Sequence, residues 1–409
     1  MKLEIGPVAE ERRDEWWAIQ ETVFAFEFKD EEKDLFAAVQ EWDRAWAAYD
    51  GDLMVGSAAS LTLATTVPGG AAVPTAGLTA VSVLPTHRRS GALTRMIRAS
   101  FEDARDRGDP LAALLASESP IYGRFGYGAS TQAADLTIER NHAVMKPGPQ
   151  TTGRVRLVGV EEARRIVPDL QEASTSGRAI PGSVTRTDPM WDLYFHDPEH
   201  WRDGASKRMW AIYENGDGEP RGYVRYRLKG KWEQAVPSYS LIVLTLHAVD
   251  AEAYAALYSY CFSIDLVSEI KVYSRRVWDP VFELIADPRR VKRLMSDGLW
   301  VRLVDVPAAL SARQYRVEDR IVLEVQDDFC PWNDGRFLLD GGPDGAECSP
   351  TDAEPDLRIG AADLASTFLG DGRLPAQAWA GRVHGEPDAI ARAALMLSWG
   401  EEAWNTVMF

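Results

Sequence analysis

The chain has 409 residues, enough for two or three domains, and its 45% hydrophobic and 26% charged residues are typical of a globular protein. A formal net charge of −17 argues against nucleic acid as a partner, because phosphate backbones need basic faces. The same charge is compatible with an acidic cleft that attracts cationic substrates. No apolar run reaches the roughly 20 residues of a membrane span, and the N-terminal segment lacks the apolar core of a signal peptide.

The cysteines and histidines of the sequence do not form a recognisable metal-binding motif. Cys261, Cys330 and Cys348 are widely spaced and fit a reducing compartment better than a disulfide framework. His196 and His200 have a metal-like spacing, but the proline between them interrupts a helix and no third ligand is evident. We therefore expect a cytoplasmic protein with no metal and no membrane span.

Residues 1–135 read as a mixed unit of strands and helices. The predicted elements are, in order, a strand over 2–8, helices over 9–24 and within 30–46, a hairpin of 47–49 with 53–66, a strand over 77–84, a helix from 93 and a strand over 111–116. The hairpin has an Asp-Gly turn, and the helix from 93 carries an apolar face at helical spacing and stops at Gly108 and Pro110. The last three elements form a βαβ unit.

The junction of this βαβ unit, residues 81–93, has the features of a pyrophosphate site. Backbone N–H groups at a helix N-terminus point at an anion, and the helix dipole favours it. Gly91 lets the backbone approach closely, and Arg88 and Arg89 can add charge-assisted hydrogen bonds. A basic turn alone is usually a solvated loop, so the interpretation depends on the strand and helix around it.

Two further units are predicted. Residues 136–290 contain strands over 209–213, 222–228 and 239–249 and an apolar helix over 251–264, but the helix follows Asp250 rather than a phosphate loop. Residues 291–409 contain strands over 301–304, 315–326 and 335–339 and helices over 361–369 and 387–398. The chain ends on the bulky Phe409, and we expect this apolar end to dock against the fold.

Two motifs carry a resemblance to a known family. The segment Arg88-Arg89-Ser90-Gly91-Ala92-Leu93 resembles the acetyl-CoA loop of the GNAT N-acetyltransferases, whose pattern is Arg/Gln-x-x-Gly-x-Gly/Ala, and departs from it at Leu93. Residues 117–128, Ser-Glu-Ser-Pro-Ile-Tyr-Gly-Arg-Phe-Gly-Tyr-Gly, are similar to a more specific segment of the Eis (enhanced intracellular survival) acetyltransferases. The resemblance extends over the whole chain.

The resemblance implies an α+β fold: two tandem GNAT-like domains with mixed sheets, followed by a sterol-carrier-protein-like domain. The boundaries expected from the sequence are 1–135, 136–290 and 291–409. It also implies a homohexamer that transfers acetyl groups from acetyl-CoA to amines of aminoglycosides or other polycationic small molecules, an activity associated with antibiotic resistance.

The same resemblance assigns the cofactor residues. Backbone N–H groups of the strand at 81–83 would bind the thioester carbonyl, and the loop at 88–94 would bind the pyrophosphate. The implied cofactor-binding residues are Val81, Ser82, Val83, Arg88, Arg89, Ser90, Gly91, Ala92, Leu93, Thr94, Ser117 and Glu118.

Two catalytic groups are implied. Tyr122 is the candidate general acid, since a tyrosine with a pKa of about 10 is protonated at neutral pH and can donate to the leaving thiolate. The alternative for Tyr122 is a structural aromatic, and Tyr127 is the competing acid. The α-carboxylate of Phe409 is the candidate general base, or else simply a packed terminus.

An amine pocket for polycations would have acidic and aromatic walls. Phe24, Phe26 and Glu27 offer both and are the candidate substrate-binding residues, although they also fit a connecting loop with core aromatics. Some family members carry an acidic residue where this chain has Met408, which bears on the selection of polycations.

Two other functions remain compatible with the sequence. One is acetylation of protein lysines. The other is a lipid-carrying or scaffold protein, which requires an apolar tunnel beneath the two C-terminal helices.

Overall fold

A computed structural model of the protein describes residues 3–409, and its strands form three main sheets. The first part of the chain contains β1 (Glu4–Pro7), α1 (Arg13–Phe24), α2 (Asp30–Val39), β2 (Ala45–Asp50), β3 (Leu53–Thr66), β4 (Ala72–Val83), α3 (Ala92–Arg107), β5 (Leu111–Leu115) and β6 (Gly128–Ala129).

The middle part alternates strands and helices in the same way. It contains β7 (Gln132–Glu139), β8 (Arg154–Val158), α4 (Val160–Ser174), α5 (Asp188–Phe195), β9 (Met209–Glu214), β10 (Pro220–Lys229), β11 (Trp232–Glu233), β12 (Val236–Pro237), β13 (Tyr239–Ala248), α6 (Ala251–Ser263), β14 (Val267–Arg275), α7 (Val281–Leu284) and β15 (Val291–Asp297).

The last part contains β16 (Leu299–Leu303), α8 (Val306–Ser311), β17 (Asp319–Gln326), β18 (Gly335–Gly342), β19 (Gly345–Pro350), β20 (Leu357–Gly360), α9 (Ala361–Thr367), α10 (Leu374–Trp379), β21 (Val383–Gly385) and α11 (Pro387–Leu397). Both helices expected in this part are present, as α9 and α11.

The first sheet has the order β1-β2-β3-β4-β5-β16-β6, in which β4 and β5 are parallel and joined by α3. Helix α3 packs on the sheet through the face predicted for it, with Met96, Ile97, Phe101 and Ala104 buried. Gly108 ends the helix in the left-handed conformation, at φ +78°. The predicted βαβ unit is therefore present.

The second sheet repeats this plan with the order β15-β7-β14-β13-β10-β9-β8. Its parallel pair, β13 and β14, is joined by α6. The carboxylate of Asp250 caps α6 by accepting a hydrogen bond from the backbone N–H of Ala253 at 2.8 Å. In a phosphate loop the N-terminus of the helix binds the anion. At the N-terminus of α6 the protein's own carboxylate, from Asp250, takes that place.

The third sheet, β19-β18-β17-β20-β21, is covered by α9 and α11. The apolar faces of these helices, with Leu364, Phe368 and Met396 fully buried, share one core with the sheet. That core also includes Leu61 and Leu63 of β3, so it joins the third unit to the first. The mixed α+β class and the arrangement of two similar units followed by a different one are confirmed.

The sheets do not follow the boundaries expected from the sequence. Strand β7 begins at Gln132 and lies in the second sheet. Strand β15 also pairs with β7, and β16 inserts between β5 and β6 of the first sheet. Residues 291–303 therefore belong to the first two sheets rather than to the third unit. The sequence could not reveal this, because a pairing between distant segments leaves no local pattern.

One helix is shorter than expected. Helix α2 ends at Val39, whereas the spacing of aromatic residues favoured a helix reaching Trp46. Trp42 lies instead in a short 3₁₀ turn and Trp46 in β2, where its carbonyl accepts a hydrogen bond from the buried indole of Trp16 at 3.1 Å. Trp42 packs edge-on against Trp16, with 5.4 Å between the ring centroids, without sharing its helix.

Within residues 3–409, no helix combines the length and the apolar character needed to cross a membrane. Cys261, Cys330 and Cys348 are free and buried.

Candidate active site

The site begins where the parallel strands β4 and β5 separate. Residues Thr75–Gly77 pair with Leu111–Ala113, but beyond this point β5 stays paired with β16 and β4 with β3. The last half of β4 therefore presents an unpaired backbone edge to the gap. Ala80, at φ +53°, lies in a bulge of β4 and turns this edge locally. Free N–H groups on a fixed strand can bind an extended ligand.

A cleft of about 750 Å³ runs from this edge to the N-terminus of α3. It brings together every residue expected to bind the cofactor, from β4, from the turn before α3 and from the segment after β5. These residues are Val81, Ser82, Val83, Arg88, Arg89, Ser90, Gly91, Ala92, Leu93, Thr94, Ser117 and Glu118.

The turn before α3 presents its donors to this cleft. Gly91 adopts φ +87°, and a Cβ there would meet nothing within 4 Å, so the glycine faces open space. The hydroxyl of Ser90 donates to the carbonyl of His87 at 2.5 Å and fixes the turn. The side chains of Arg88 and Arg89 are exposed beside it. Free N–H groups of the first helical turn and two guanidinium groups together suit a phosphate group.

Tyr122 lies between two 3₁₀ turns and is only 6% exposed. Its ring packs edge-on against Tyr127, with 6.1 Å between the ring centroids. Burial, followed by the nearby charge of Glu118, raises the pKa of Tyr122 above its usual value. The hydroxyl is therefore protonated at neutral pH and can donate a proton.

Tyr127 is a poorer candidate for the acid. It is fully buried, its hydroxyl has no hydrogen-bond partner in the described structure, and it lines neither the cofactor cleft nor the cavity beyond it.

A second cavity, of about 760 Å³, adjoins the cofactor cleft. The two spaces share Phe24, Val81, Ser117 and Tyr122, so Tyr122 lies at their junction. Phe409 lines the second cavity. The structure thus brings together two residues that are far apart in the sequence and that were predicted as the catalytic pair.

The chain end docks as expected. Val407 is 2% exposed, and Trp404 donates from its backbone N–H to Pro181 (2.8 Å) and from its indole to Ser274 (2.9 Å). The ring of Phe409 lies against Gly77 of β4, where a Cβ would approach it to 3.2 Å. The tail therefore crosses from the third unit over the second and ends in the first.

The residues expected to form the substrate wall divide between two places. Phe24 and Phe26 line the second cavity, together with Phe28 and Phe36. Glu27 does not line this cavity and faces a neighbouring surface groove instead, so it is not an acidic wall for the substrate.

Helix α2, which follows this loop, is held against the second unit by a buried carboxylate. Glu32 is 1% exposed, and its Oε1 lies 3.6 Å from Nε2 of His196 and 3.1 Å from Nε2 of His200. No group of three or more His, Cys, Asp and Glu side chains placed to hold a metal ion, this one included, was found in the part of the chain that the structure describes.

Three arginines that the sequence analysis did not single out also line the second cavity. Arg186, Arg208 and Arg225 come from the second unit. No local pattern marks them, because they reach the cavity from different elements of that unit.

Comparison with known proteins identifies the units. Residues 4–130 and 182–303 each match an acetyltransferase (GNAT) domain family, and residues 306–406 match a sterol carrier protein domain family. The last match agrees with the placement of β15 and β16 outside the third unit.

Similar proteins cover almost the whole chain. An uncharacterized N-acetyltransferase of Streptomyces avermitilis is 42% identical over 384 residues, which cover 91% of this chain and 91% of that protein. N-acetyltransferase Eis of Mycobacterium tuberculosis is 35% identical over 350 residues, or 84% of this chain and 82% of that protein. The crystal structure of Eis1 from Mycobacterium abscessus has a TM-score of 0.85 at 31% identity and covers 100% of both chains. The chain therefore belongs to the Eis family of GNAT N-acetyltransferases, enzymes that take their acetyl group from acetyl-CoA.

Proposed function

We propose that this enzyme transfers an acetyl group from acetyl-CoA to a primary amine of a small molecule by direct attack. The observation that carries the proposal is the position of Tyr122 at the junction of the cofactor cleft and the second cavity, with Phe409 lining the second cavity. The amine nitrogen bonds to the thioester carbon, and the carbon–sulfur bond breaks. The Phe409 carboxylate accepts the proton lost by the amine, and Tyr122 gives a proton to the leaving thiolate.

Acetyl-CoA would lie along the cofactor cleft. The N-terminus of α3, with Arg88 and Arg89, would hold the pyrophosphate. The unpaired edge of β4 at Val81–Val83 would bind the pantetheine arm and the thioester carbonyl through backbone N–H groups. These donors are fixed before the reaction, so they can stabilise the oxyanion that develops on the carbonyl.

The two proposed catalytic groups suit opposite tasks. The raised pKa of Tyr122 keeps it protonated, as an acid requires. A carboxylate with an ordinary pKa near about 3.5 is a weak base in water, so partial desolvation among apolar neighbours is needed to make it useful. The buried Val407 and the aromatic residues that line the cavity with Phe409 would supply such surroundings.

The acceptor is restricted by the walls of the second cavity. An aminoglycoside or another polycation needs several carboxylates to balance its charges, and no Asp or Glu in residues 3–409 lines this cavity, which leaves the α-carboxylate of Phe409 alone. We therefore propose a small primary amine with an apolar body in place of the polycation that the family resemblance suggested.

The two other functions fit less well. A peptide lysine would have to enter a cavity lined by Phe24, Phe26 and Met408, and no Asp or Glu in residues 3–409 lines that cavity. A lipid tunnel beneath α9 and α11 conflicts with their packing, because Leu364, Phe368 and Met396 are already buried in the core of the sheet. Thiol release from acetyl-CoA with small amines, with a lysine peptide and with no acceptor separates these functions.

We also propose the cytoplasmic homohexamer that the family resemblance implies. Trp278, Leu294 and Trp379 support an assembly, because they are 75%, 71% and 93% exposed and large exposed apolar groups mark interfaces. Sedimentation equilibrium measures the assembly directly. A monomeric protein at micromolar concentration would contradict the hexamer.

The terminal carboxylate provides the decisive test of the mechanism. Extending the chain by two glycines moves the carboxylate away from the site while Phe409 keeps its side chain. We expect kcat to fall by about 100-fold or more. The matched variant Phe409→Leu keeps the carboxylate and an apolar side chain and should lose far less. Near-normal turnover in a folded, extended enzyme would contradict the role of the carboxylate.

A further inference from the structure

The second cavity has a basic wall, which we define as Arg186, Arg208 and Arg225. Arg186 precedes α5, Arg208 precedes β9, and Arg225 lies on β10. All three approach Tyr194 of α5: Arg186 and Arg225 lie over its ring, at 4.4 and 3.7 Å from the centroid, and Arg208 donates to its carbonyl at 2.9 Å. The basic wall is thus one cluster around a single aromatic side chain.

Apart from the α-carboxylate of Phe409, which belongs to the same cavity, the charge of Arg186 and Arg225 is not balanced by a nearby carboxylate in residues 3–409. Arg186 donates to the side-chain oxygen of Gln171 (2.7 Å) and to the carbonyl of Thr406 (3.2 Å), which are both neutral. Arg225 donates to the carbonyl of Tyr194 (3.1 Å) and to the hydroxyl of Thr245 (3.1 Å), again neutral groups.

Of the three arginines, only Arg208 has a side-chain carboxylate near it, and that carboxylate already forms an ion pair with Arg227. The Nε of Arg208 lies 3.8 Å from Oδ1 of Asp197, whereas Arg227 holds the same oxygen at 2.6 Å. The Nε atoms of Arg208 and Arg225 are buried and have no hydrogen-bond partner in the structure of residues 3–409. Buried donors without partners are costly, so these two guanidinium groups are not fully satisfied by the protein.

The electrostatic surroundings agree with an uncompensated positive charge. Burial, followed by the charge of Arg225, lowers the pKa of Arg208 to about 10. Burial also lowers the pKa of Arg186. The nearby His247 has a pKa well below its usual value, mainly through burial and then through Arg275 and Arg186. Cations are thus disfavoured here, and an anion is favoured.

Most of the other residues that line the cavity are apolar or aromatic. Phe24, Phe26, Phe28 and Met408 are among them. A volume of about 760 Å³ is typical of a small-molecule site. The lining thus combines the proposed reacting residues Tyr122 and Phe409, a set of apolar and aromatic side chains, and the basic wall.

We propose that the acceptor is a small amine with an apolar or aromatic body that carries a carboxylate, which binds to the basic wall. This inference rests on the proposed function, because it assumes that the amine meets Tyr122 and Phe409. Guanidinium groups bind carboxylates with charge-assisted hydrogen bonds, often in pairs, so this wall both attracts the acceptor and orients it.

Three acceptors with the same ring and the same reacting aminomethyl group test the charge preference. In 4-(aminomethyl)benzoate the para position carries an anionic carboxylate. In benzylamine it carries only hydrogen, and in 1,4-bis(aminomethyl)benzene it carries a second, cationic aminomethyl group. We expect kcat/KM to be about 10- to 100-fold higher for the benzoate than for benzylamine, and lowest for the diamine. Equal values, or preference for the diamine, would overturn the inference.

The variant Arg225→Gln tests the wall itself. We expect the ratio of kcat/KM for 4-(aminomethyl)benzoate to that for benzylamine to fall by about 10-fold, chiefly through KM of the benzoate. Arg208→Gln is a second variant with the same expected direction. The matched control is Arg165→Gln, since Arg165 is exposed on α4 and does not line the cavity. An unchanged ratio in both wall variants would assign the arginines to structure alone.

Binding separates a failure of this inference from a failure of the proposed function. If no amine is acetylated, the proposed function fails, but calorimetry with the same three compounds still reports the charge preference. Tighter binding of the benzoate than of benzylamine, lost in Arg225→Gln, supports the basic wall. Equal binding of the two compounds to the parent enzyme contradicts the basic wall even if both are acetylated.

Discussion

Tyr122 and Tyr127 show how position decides the role of a residue within one motif. Both rings are buried and in contact, at 6.1 Å between centroids. Only Tyr122 lines the two cavities, whereas the hydroxyl of Tyr127 is enclosed and unpaired in the described structure. The sequence favoured Tyr122 through resemblance alone, and the structure adds a physical reason.

The pair also provides a matched test. We expect Tyr122→Phe to lower kcat by about 100-fold or more, because the leaving thiolate loses its proton donor, while acetyl-CoA still binds. Steady-state thiol release and calorimetry with acetyl-CoA measure the two effects. Tyr127→Phe removes a hydroxyl without a partner and should change kcat by no more than about 2-fold. Equal losses in both variants would make Tyr122 a packing residue.

The pH dependence of kcat follows from the direction of the Tyr122 pKa. An acid is active while it is protonated, and burial raises the pKa of Tyr122 above 10. Protonated enzyme therefore persists to higher pH than it would with an exposed tyrosine. We expect no substantial fall of kcat between pH 8 and pH 9 in enzyme that stays folded, as measured by stopped-time assays. A fall in that range that is absent from Tyr122→Phe would contradict the raised pKa.

The junction of β4 and α3 determines the cofactor cleft at the level of elements. Strand β4 leaves β5 after Gly77, and α3 starts at Ala92 with its N-terminus towards the gap. In the second unit, β13 also leaves β14 after Val243, but there the carboxylate of Asp250 caps α6. Two similar βαβ units therefore differ in whether the helix N-terminus is open to an anion.

The glycines at the two ends of α3 allow the effect of a substitution on acetyl-CoA binding to be distinguished from its effect on stability. Gly91 has φ +87° and Gly108 has φ +78°, and a Cβ on either meets nothing within 4 Å. Gly91→Ala and Gly108→Ala should each lower the free energy of unfolding by about 1 kcal/mol, because alanine is strained in this conformation. Only Gly91→Ala should raise KM for acetyl-CoA. Denaturant unfolding and initial rates measure both quantities, and a raised KM in both variants would contradict a local phosphate site.

At the scale of the whole molecule, the motif at residues 117–128 of the first unit packs against β16 and against the third unit. A Cβ on Gly126 would come within 1.9 Å of Nη1 of Arg302 in β16, and one on Gly128 within 2.2 Å of the carbonyl of Ala362 in α9. Gly123 in the same motif has nothing within 4 Å. Two of these glycines therefore let the third unit and β16 pack closely against the site.

The close contact between Gly128 and α9 predicts that alanine substitutions at Gly128 and at Gly123 differ in their effect on the free energy of unfolding. Gly128→Ala should lower the free energy of unfolding by about 2–3 kcal/mol, because the α9 backbone has to move away. Gly123→Ala should change it by no more than about 0.5 kcal/mol. Denaturant unfolding followed by fluorescence measures both variants. Similar values for the two would show that the units do not pack closely through Gly128.

Much of the fold was predictable because its signals are local. The apolar face and glycine stop of α3, the hairpin turn before β3 and the buried run of β5 each occupy adjacent residues. The residues of the cofactor cleft were predictable for the same reason, since they lie in three short segments that motifs mark. Acetyl transfer then followed from resemblance to a family that shares those motifs.

The sequence by itself determined the elements, the cofactor loop, the family and an apolar chain end suited to docking. Only the tertiary structure decided that β16 joins the first sheet, that Glu27 faces away from the cavity, and that Arg186, Arg208 and Arg225 form a basic wall. The physical reason is the same for all three. Strand pairing, side-chain direction and clustered charge depend on segments that are far apart in the chain, so no local pattern records them.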